Sequence, residues 1–292
     1  MRMNYISKIQ TNLKKYNAIN TKKITSRVLD GSYKSVYKGR SMNFNELREY
    51  VEGDDIKDMD WKASSRSRKL LVRQYIAEKK HNIMLVMDTN LDMLAYANET
   101  QEKKDVALLS AGTLAYLVNR NGDYVSAIFP TEKSLSFFPF KTGLMNIENI
   151  LSSYDKAVTL ENNSSIKTAL EYVINNIRRS MIMLIVTDLN GINSIPEATL
   201  RRLMLMSDVL LINVEDTDIS GQNAYDVRKG QYVPEFFTMD KKLALLEKET
   251  KNKLVEACDK KLKKYGVTYA TISDTNEIDE KIIELFEKHK YR

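Results

Sequence analysis

Asp88, Asn90 and Asp92 stand at alternate positions directly after the unbroken apolar run Ile83-Met84-Leu85-Val86-Met87. Two carboxylates and a carboxamide at that spacing offer the oxygen-donor chemistry that hard cations use. The same residue types also cap helices and fix turns with no metal at all. What gives the group weight is its place. Five successive apolar residues read as a strand covered on both faces, and open α/β sheets bind ligands beyond the carboxyl ends of such strands, where strand order reverses.

Other chemistries find little to work with. The two histidines, His81 and His289, each lie beside a lysine, which is a poor setting for a general base or an imidazole-rich metal centre. No glycine-rich phosphate loop and no Gly-x-Ser-x-Gly elbow occurs. Cys258 lies on a helical apolar stripe, where a cysteine packs as a small core residue. Asp54, Asp55, Asp58 and Asp60 could form an acidic metal site of nuclease type. Arg40 and Arg48 precede them and Arg66 and Arg73 follow, however, and a buried network of guanidinium–carboxylate pairs that also includes Glu46 is expected. Trp61 is expected as a core anchor beside it.

Elements that alternate between strand and helix must position these residues. Ile6, Ile9, Leu13 and Tyr16 recur at helical spacing and predict an amphipathic helix over 5–19. Residues 26–38 predict a loop or short hairpin, and 70–76 a strand. After the strand at 83–87 the pattern predicts a helix over 102–119, strands at 124–129 and 134–138 paired antiparallel at a sheet edge, and a helix near 144–152. A helix from Ser164 or Ser165 to about 179 follows, then a central strand at 181–187. Pro196 marks a first helical turn, and that helix leads to a strand at 209–214. Residues 216–238 lack periodicity and are expected to be mobile; a helix over 240–265, a strand at 267–272 and a terminal helix complete the chain.

The 292 residues, 43% of them hydrophobic, suffice for one large α/β domain and a smaller piece. A single cysteine excludes an intrachain disulfide framework and fits a reducing compartment. The apolar runs are far too short to span a bilayer, and no signal peptide is visible in the first 20 residues, so a cytoplasmic location is expected. Residues 1–82 hold 19 Lys and Arg against 9 Asp and Glu, whereas the remainder is net negative. Such a basic quarter attracts acidic partners without choosing among them; specific nucleic-acid binding is not expected, and weak membrane-surface contact is compatible with it.

Asp88-Thr89-Asn90-Leu91-Asp92 resembles the first loop of the metal-ion-dependent adhesion site of von Willebrand factor A domains, Asp-x-Ser-x-Ser, with both serines replaced. The resemblance implies two further ligands. Ser164, just before a helix, falls where that family has a Thr, and Asp188, after the next strand, falls where it has its last Asp. Asp88, Asn90, Asp92, Ser164 and Asp188 would then hold Mg2+ or Ca2+. The stretch from Gly39 to Arg73 resembles the signature of the bacterial family called domain of unknown function 58: Gly39, Phe44-Asn45-Glu46-Leu47-Arg48-Glu49-Tyr50, Gly53-Asp54-Asp55, Asp60-Trp61 and Ser64-Ser65-Arg66. Members of that family are typically encoded beside MoxR-type AAA+ ATPases and are thought to act with them as chaperone-like or metal-site maturation systems. Many carry membrane helices ahead of the signature.

The expected fold is thus α/β, a von Willebrand factor A-like doubly wound and mostly parallel sheet over 81–292, with a helical and β N-terminal extension over 1–80. The expected function is that of a non-enzymatic interaction module with a degenerate adhesion site, docking a MoxR-type ATPase or its client. The alternative is a metal-dependent phosphoester hydrolase or nuclease using the clustered carboxylates.

Overall fold

The apolar runs of the sequence become the strands of a six-stranded sheet. A computed structural model describes residues 4–19, 46–52, 59–67, 69–74, 80–179, 181–217, 225–226, 231–232 and 241–290. Strand β3 (Asn82–Met87) is central, with β4 (Tyr124–Pro130) parallel on one side and β6 (Ile182–Asp188) parallel on the other. Beyond β6 lie β7 (Asp208–Val214) and then β10 (Thr268–Ile272), both parallel. Beyond β4 lies β5 (Leu135–Lys141), the antiparallel edge. The chain moves outward from β3 in one direction and then in the other, so strand order reverses between β3 and β6. That is where a doubly wound sheet opens its crevice.

Both faces of the sheet are covered. Ile83, Leu85 and Met87 of β3 face α3 (Lys103–Arg120), α4 (Leu144–Ala157) and α9 (Ile278–Lys290). Met84 and Val86 face the opposite layer, built from α5 (Ile166–Asn176), α6 (Leu189–Ser194), α7 (Glu197–Met206) and α8 (Lys241–Lys264). This two-sided burial explains why the strands read as continuous apolar runs. Gly122 takes φ 76°, which lets the chain turn from the end of α3 into β4.

The N-terminal helix α1 (Tyr5–Ile19) joins the first of these layers, burying Tyr5, Ile6, Ile9 and Leu13. Glu148 of α4 accepts the Tyr5 and Ile6 amide N–H groups at 3.0 Å each, so a carboxylate satisfies donors that the start of a helix leaves free. Asp155 accepts the Tyr5 hydroxyl at 2.8 Å. A separate two-stranded antiparallel sheet pairs β1 (Glu46–Glu49) with β2 (Leu71–Gln74), and α2 (Trp61–Ser67) lies between them in sequence.

The helix expected near 144–152 continues to Ala157, because Tyr154 extends its buried stripe. The helix after Ser165 ends at Asn176 rather than near 179. Pro196 is the N-cap of α7 and not its first residue. Trp61 is 63% exposed and anchors no core. Within the unpatterned stretch after residue 216, β8 (Tyr225–Asp226) pairs with β9 (Gln231–Tyr232). The loop or hairpin expected over 26–38 lies outside the described residues.

Candidate functional site at the carboxyl edge of the sheet

The register that sets Met87 beside Val186 places Asp88 next to Thr187, at the ends of adjacent strands β3 and β6. The Thr187 hydroxyl donates to Asp88 Oδ2 at 2.6 Å, and the Asn90 N–H donates to Oδ1 at 3.0 Å. The Tyr154 hydroxyl donates to the Asp88 carbonyl at 2.9 Å, which ties α4 to the same loop. Asp88 is buried. Desolvation, with repulsion from Asp188, pushes its carboxyl up to about 6 against the opposing pull of those hydrogen bonds and of Lys103.

Asp188 ends β6 and caps α6, accepting the Gly191 N–H through Oδ1 at 2.8 Å. This cap lets a six-residue segment containing Asn and Gly form a helix at all. Gly191 is required there by space: a Cβ would sit 1.8 Å from Thr187 Oγ1 and 2.6 Å from Asp88 Oδ2. The other oxygen of Asp188, Oδ2, accepts from Lys103 Nζ at 2.7 Å.

Lys103 is the residue that reading the sequence missed. It is the first residue of α3, its side chain is 1% exposed, and its ammonium also donates to Asp216, just beyond β7. A buried cation in a first helical turn faces both a desolvation cost and the positive end of the helix dipole, so its partners must offset both. Burial lowers its proton affinity, but the charges of Asp188 and Asp216 outweigh this and hold it above the ordinary lysine range. Lys251 of α8 donates to the Asp216 carbonyl at 2.9 Å, so the segment after β7 is gripped from both helical layers. The signal for Lys103 was present. It lies four residues before Ala107, on the same helical stripe as Ala107, Ala111 and Val118.

The structure does bring the five sequence-predicted residues to one edge, but it uses their oxygens internally. Asn90 accepts the Asp92 N–H through Oδ1 at 3.1 Å and donates to the Ser164 carbonyl at 2.9 Å, acting as a cap and a loop tie. The Ser164 hydroxyl donates to Asn162 Oδ1 at 2.6 Å, and the Leu91 N–H reaches the Asn162 carbonyl at 2.8 Å. Asp92 turns outward, with Asn190 Nδ2 at 3.4 Å from its Oδ2. A resident divalent ion does not suit this donor set, because an ammonium already lies at hydrogen-bond distance from Asp188 and would repel a dication. Among the described residues, no group of three or more His, Cys, Asp or Glu side chains is arranged to hold a metal ion.

Of the signature residues, Asp60 caps α2, accepting the Ala63 N–H at 3.0 Å, while Tyr50 is half-buried and Arg66 exposed. The expectation of a buried partner for Arg66 is corrected accordingly. Glu46, Arg48 and Arg73 lie on β1 and β2, where only their backbone is described. Arg40, Gly53, Asp54 and Asp55 lie outside the described residues, so the charge network expected of them does too.

Among known proteins, uncharacterized proteins of Mycobacterium bovis and Mycobacterium tuberculosis are 27% identical over 194 residues, covering 65% of this chain and 60% of theirs. The chain thus spans less than two thirds of the length of the curated relatives it matches. Solved structures that overlay include an aerotolerance-related membrane protein from Bacteroides fragilis carrying multiple mutations to serines, at TM-score 0.45 and 13% identity over 71% of this chain and 99% of that one. The conserved hypothetical protein BatB from Bacteroides thetaiotaomicron overlays at TM-score 0.46 and 13% identity, covering 73% of this chain and 100% of its own. Overlap at this level identifies neither ligand nor activity. The family model described as protein of unknown function DUF58 matches residues 46–220, more than half of the chain, and the chain belongs to that family.

Proposed function

We propose that this protein is an interaction module without catalytic activity of its own, an adaptor or chaperone-like partner of a MoxR-type AAA+ ATPase, built on a von Willebrand factor A-like sheet. Its docking face is the carboxyl edge of the sheet around Asp88, Ser164 and Asp188. The observation that carries this reading is the internally satisfied state of that edge. Asp88, Asp92, Ser164, Thr187 and Asp188 each have a partner within the chain, which favours loops of fixed shape over a site left open for a reactant. Apolar side chains stand on the same edge, with Tyr96 50% and Leu160 62% exposed. Exposed aromatic and aliphatic groups on rigid loops suit protein docking better than turnover. A phosphoester hydrolase would need carboxylates open to one or two metal ions, and Asp188 already engages Lys103 and Gly191.

The ATPase comes into this reading from the family resemblance, and with it a cytoplasmic location, since such a partner consumes ATP there. Among the described residues no helix is long and apolar enough to cross a membrane. The test is binding of the full chain to a purified MoxR-type ATPase from the same organism, followed by interferometry. Leu160→Asp and Tyr96→Ala are expected to weaken binding at least about tenfold, as loss of central contacts does. Equal binding by both variants, or no binding by the wild type, would refute the proposal.

A further inference from the structure

We infer that Lys103 supplies, from within the chain, the positive charge that a divalent ion supplies in a metal-ion-dependent adhesion site, so that this edge is closed without metal. The ammonium sits where carboxylates from the ends of two adjacent strands converge, donating to Asp188 at 2.7 Å and to Asp216. It is almost completely buried, so it serves the cluster and is not offered to a partner's carboxylate. Three N–H donors on one nitrogen can serve two carboxylates at once. The surrounding oxygens are occupied as well: Asp88 accepts from Thr187 and Asn90, and Asp188 accepts from Gly191. Two acids facing one buried lysine leave excess negative charge once the lysine is removed, which is the condition that recruits a hard cation.

Lys103 is therefore a positioning residue, holding the ends of β6 and β7 at fixed spacing whatever docks above them. The inference stands apart from the identity of any partner.

The test compares the melting of wild type, Lys103→Ala and Lys103→Arg in EDTA and in millimolar Mg2+, Ca2+ or Mn2+, with Mn2+ binding read separately by electron paramagnetic resonance. The wild type is expected to melt at one temperature in all of these buffers and to leave the Mn2+ signal free. Lys103→Ala is expected to melt roughly 5 to 10 °C lower in EDTA. Metal should return part of that loss, by binding the folded state alone. Lys103→Arg should keep the metal indifference of the wild type. Binding of Mn2+ by the wild type, or a wild-type melting point raised by Mg2+ and lowered by EDTA, would overturn the inference even if Lys103→Ala is insoluble. So would a Lys103→Ala variant whose loss no divalent ion repairs.

Discussion

Two charged regions of this chain look alike in sequence and differ in space. In the small β1–β2 sheet, Lys69 and Glu49 pair across neighbouring strand ends with both side chains 63% exposed. At the carboxyl edge of the large sheet, Lys103 meets Asp188 and Asp216 across 85 and 113 residues of chain, and it is buried. Water screens the first pair, and its loss leaves two charges that solvate freely. The second cannot lose a member without stranding a charge in the interior. The same residue types thus do different work at the two places, according to whether water reaches them. The buried cluster is made of three residues that no local window would group.

The largest loss of stability is expected at Asp188. Asp188→Ala removes both the partner of Lys103 and the cap of α6, and is expected to cost about 3–5 kcal/mol in urea denaturation. Gly191→Ala comes next, because its methyl group would enter the Thr187–Asp88 pair; overpacking together with a broken buried hydrogen bond should cost about 2–3 kcal/mol. Thr187→Ala combined with Gly191→Ala should then recover part of that loss, since it makes room.

A pH series sharpens the contrast. Burial pushes the Asp88 and Asp279 carboxyls up to about 6. A carboxyl raised on folding contributes its stability in full below the unfolded value near 4 and loses it as pH rises through 6. Their contribution to the urea midpoint should therefore grow as pH falls from 7.5 to 5. Asp279→Asn, away from the site, should flatten that slope without touching the Asp88 contribution. The smallest effect is expected on the other sheet, where Trp61→Ala and Lys69→Ala should leave the melting of the large sheet unchanged.

The sequence made the large sheet legible because its strands are buried on both faces and its helices carry clean stripes. The switch point between β3 and β6, and the convergence of Asp88, Asn90, Asp92, Ser164 and Asp188 on it, followed from that pattern together with the family resemblance. What could not be read was how their oxygens are spent. Lys103 sits in Glu102-Lys103-Lys104-Asp105, which reads as a solvated helix start, and only its helical alignment with Ala107 and Ala111 gives it away. Asp216 opens a stretch without periodicity, so nothing local marks it. Helix α6 was missed because Leu189-Asn190-Gly191-Ile192-Asn193-Ser194 has weak intrinsic preference and depends on the Asp188 cap and on burial of Leu189 and Ile192. Strand β1 was missed because Glu-Leu-Arg-Glu carries one apolar residue, too few to show an alternation.

The most direct measurement is a pair of double-mutant cycles in urea, Lys103→Met with Asp188→Asn and Lys69→Met with Glu49→Gln. A coupling of at least about 2 kcal/mol is expected for the buried pair, with the double variant more stable than Lys103→Met alone, and no measurable coupling for the exposed pair. Additive losses at Lys103 and Asp188 would contradict that expectation, for the two would then be neighbours that do not hold each other, and the edge would need another source of positive charge.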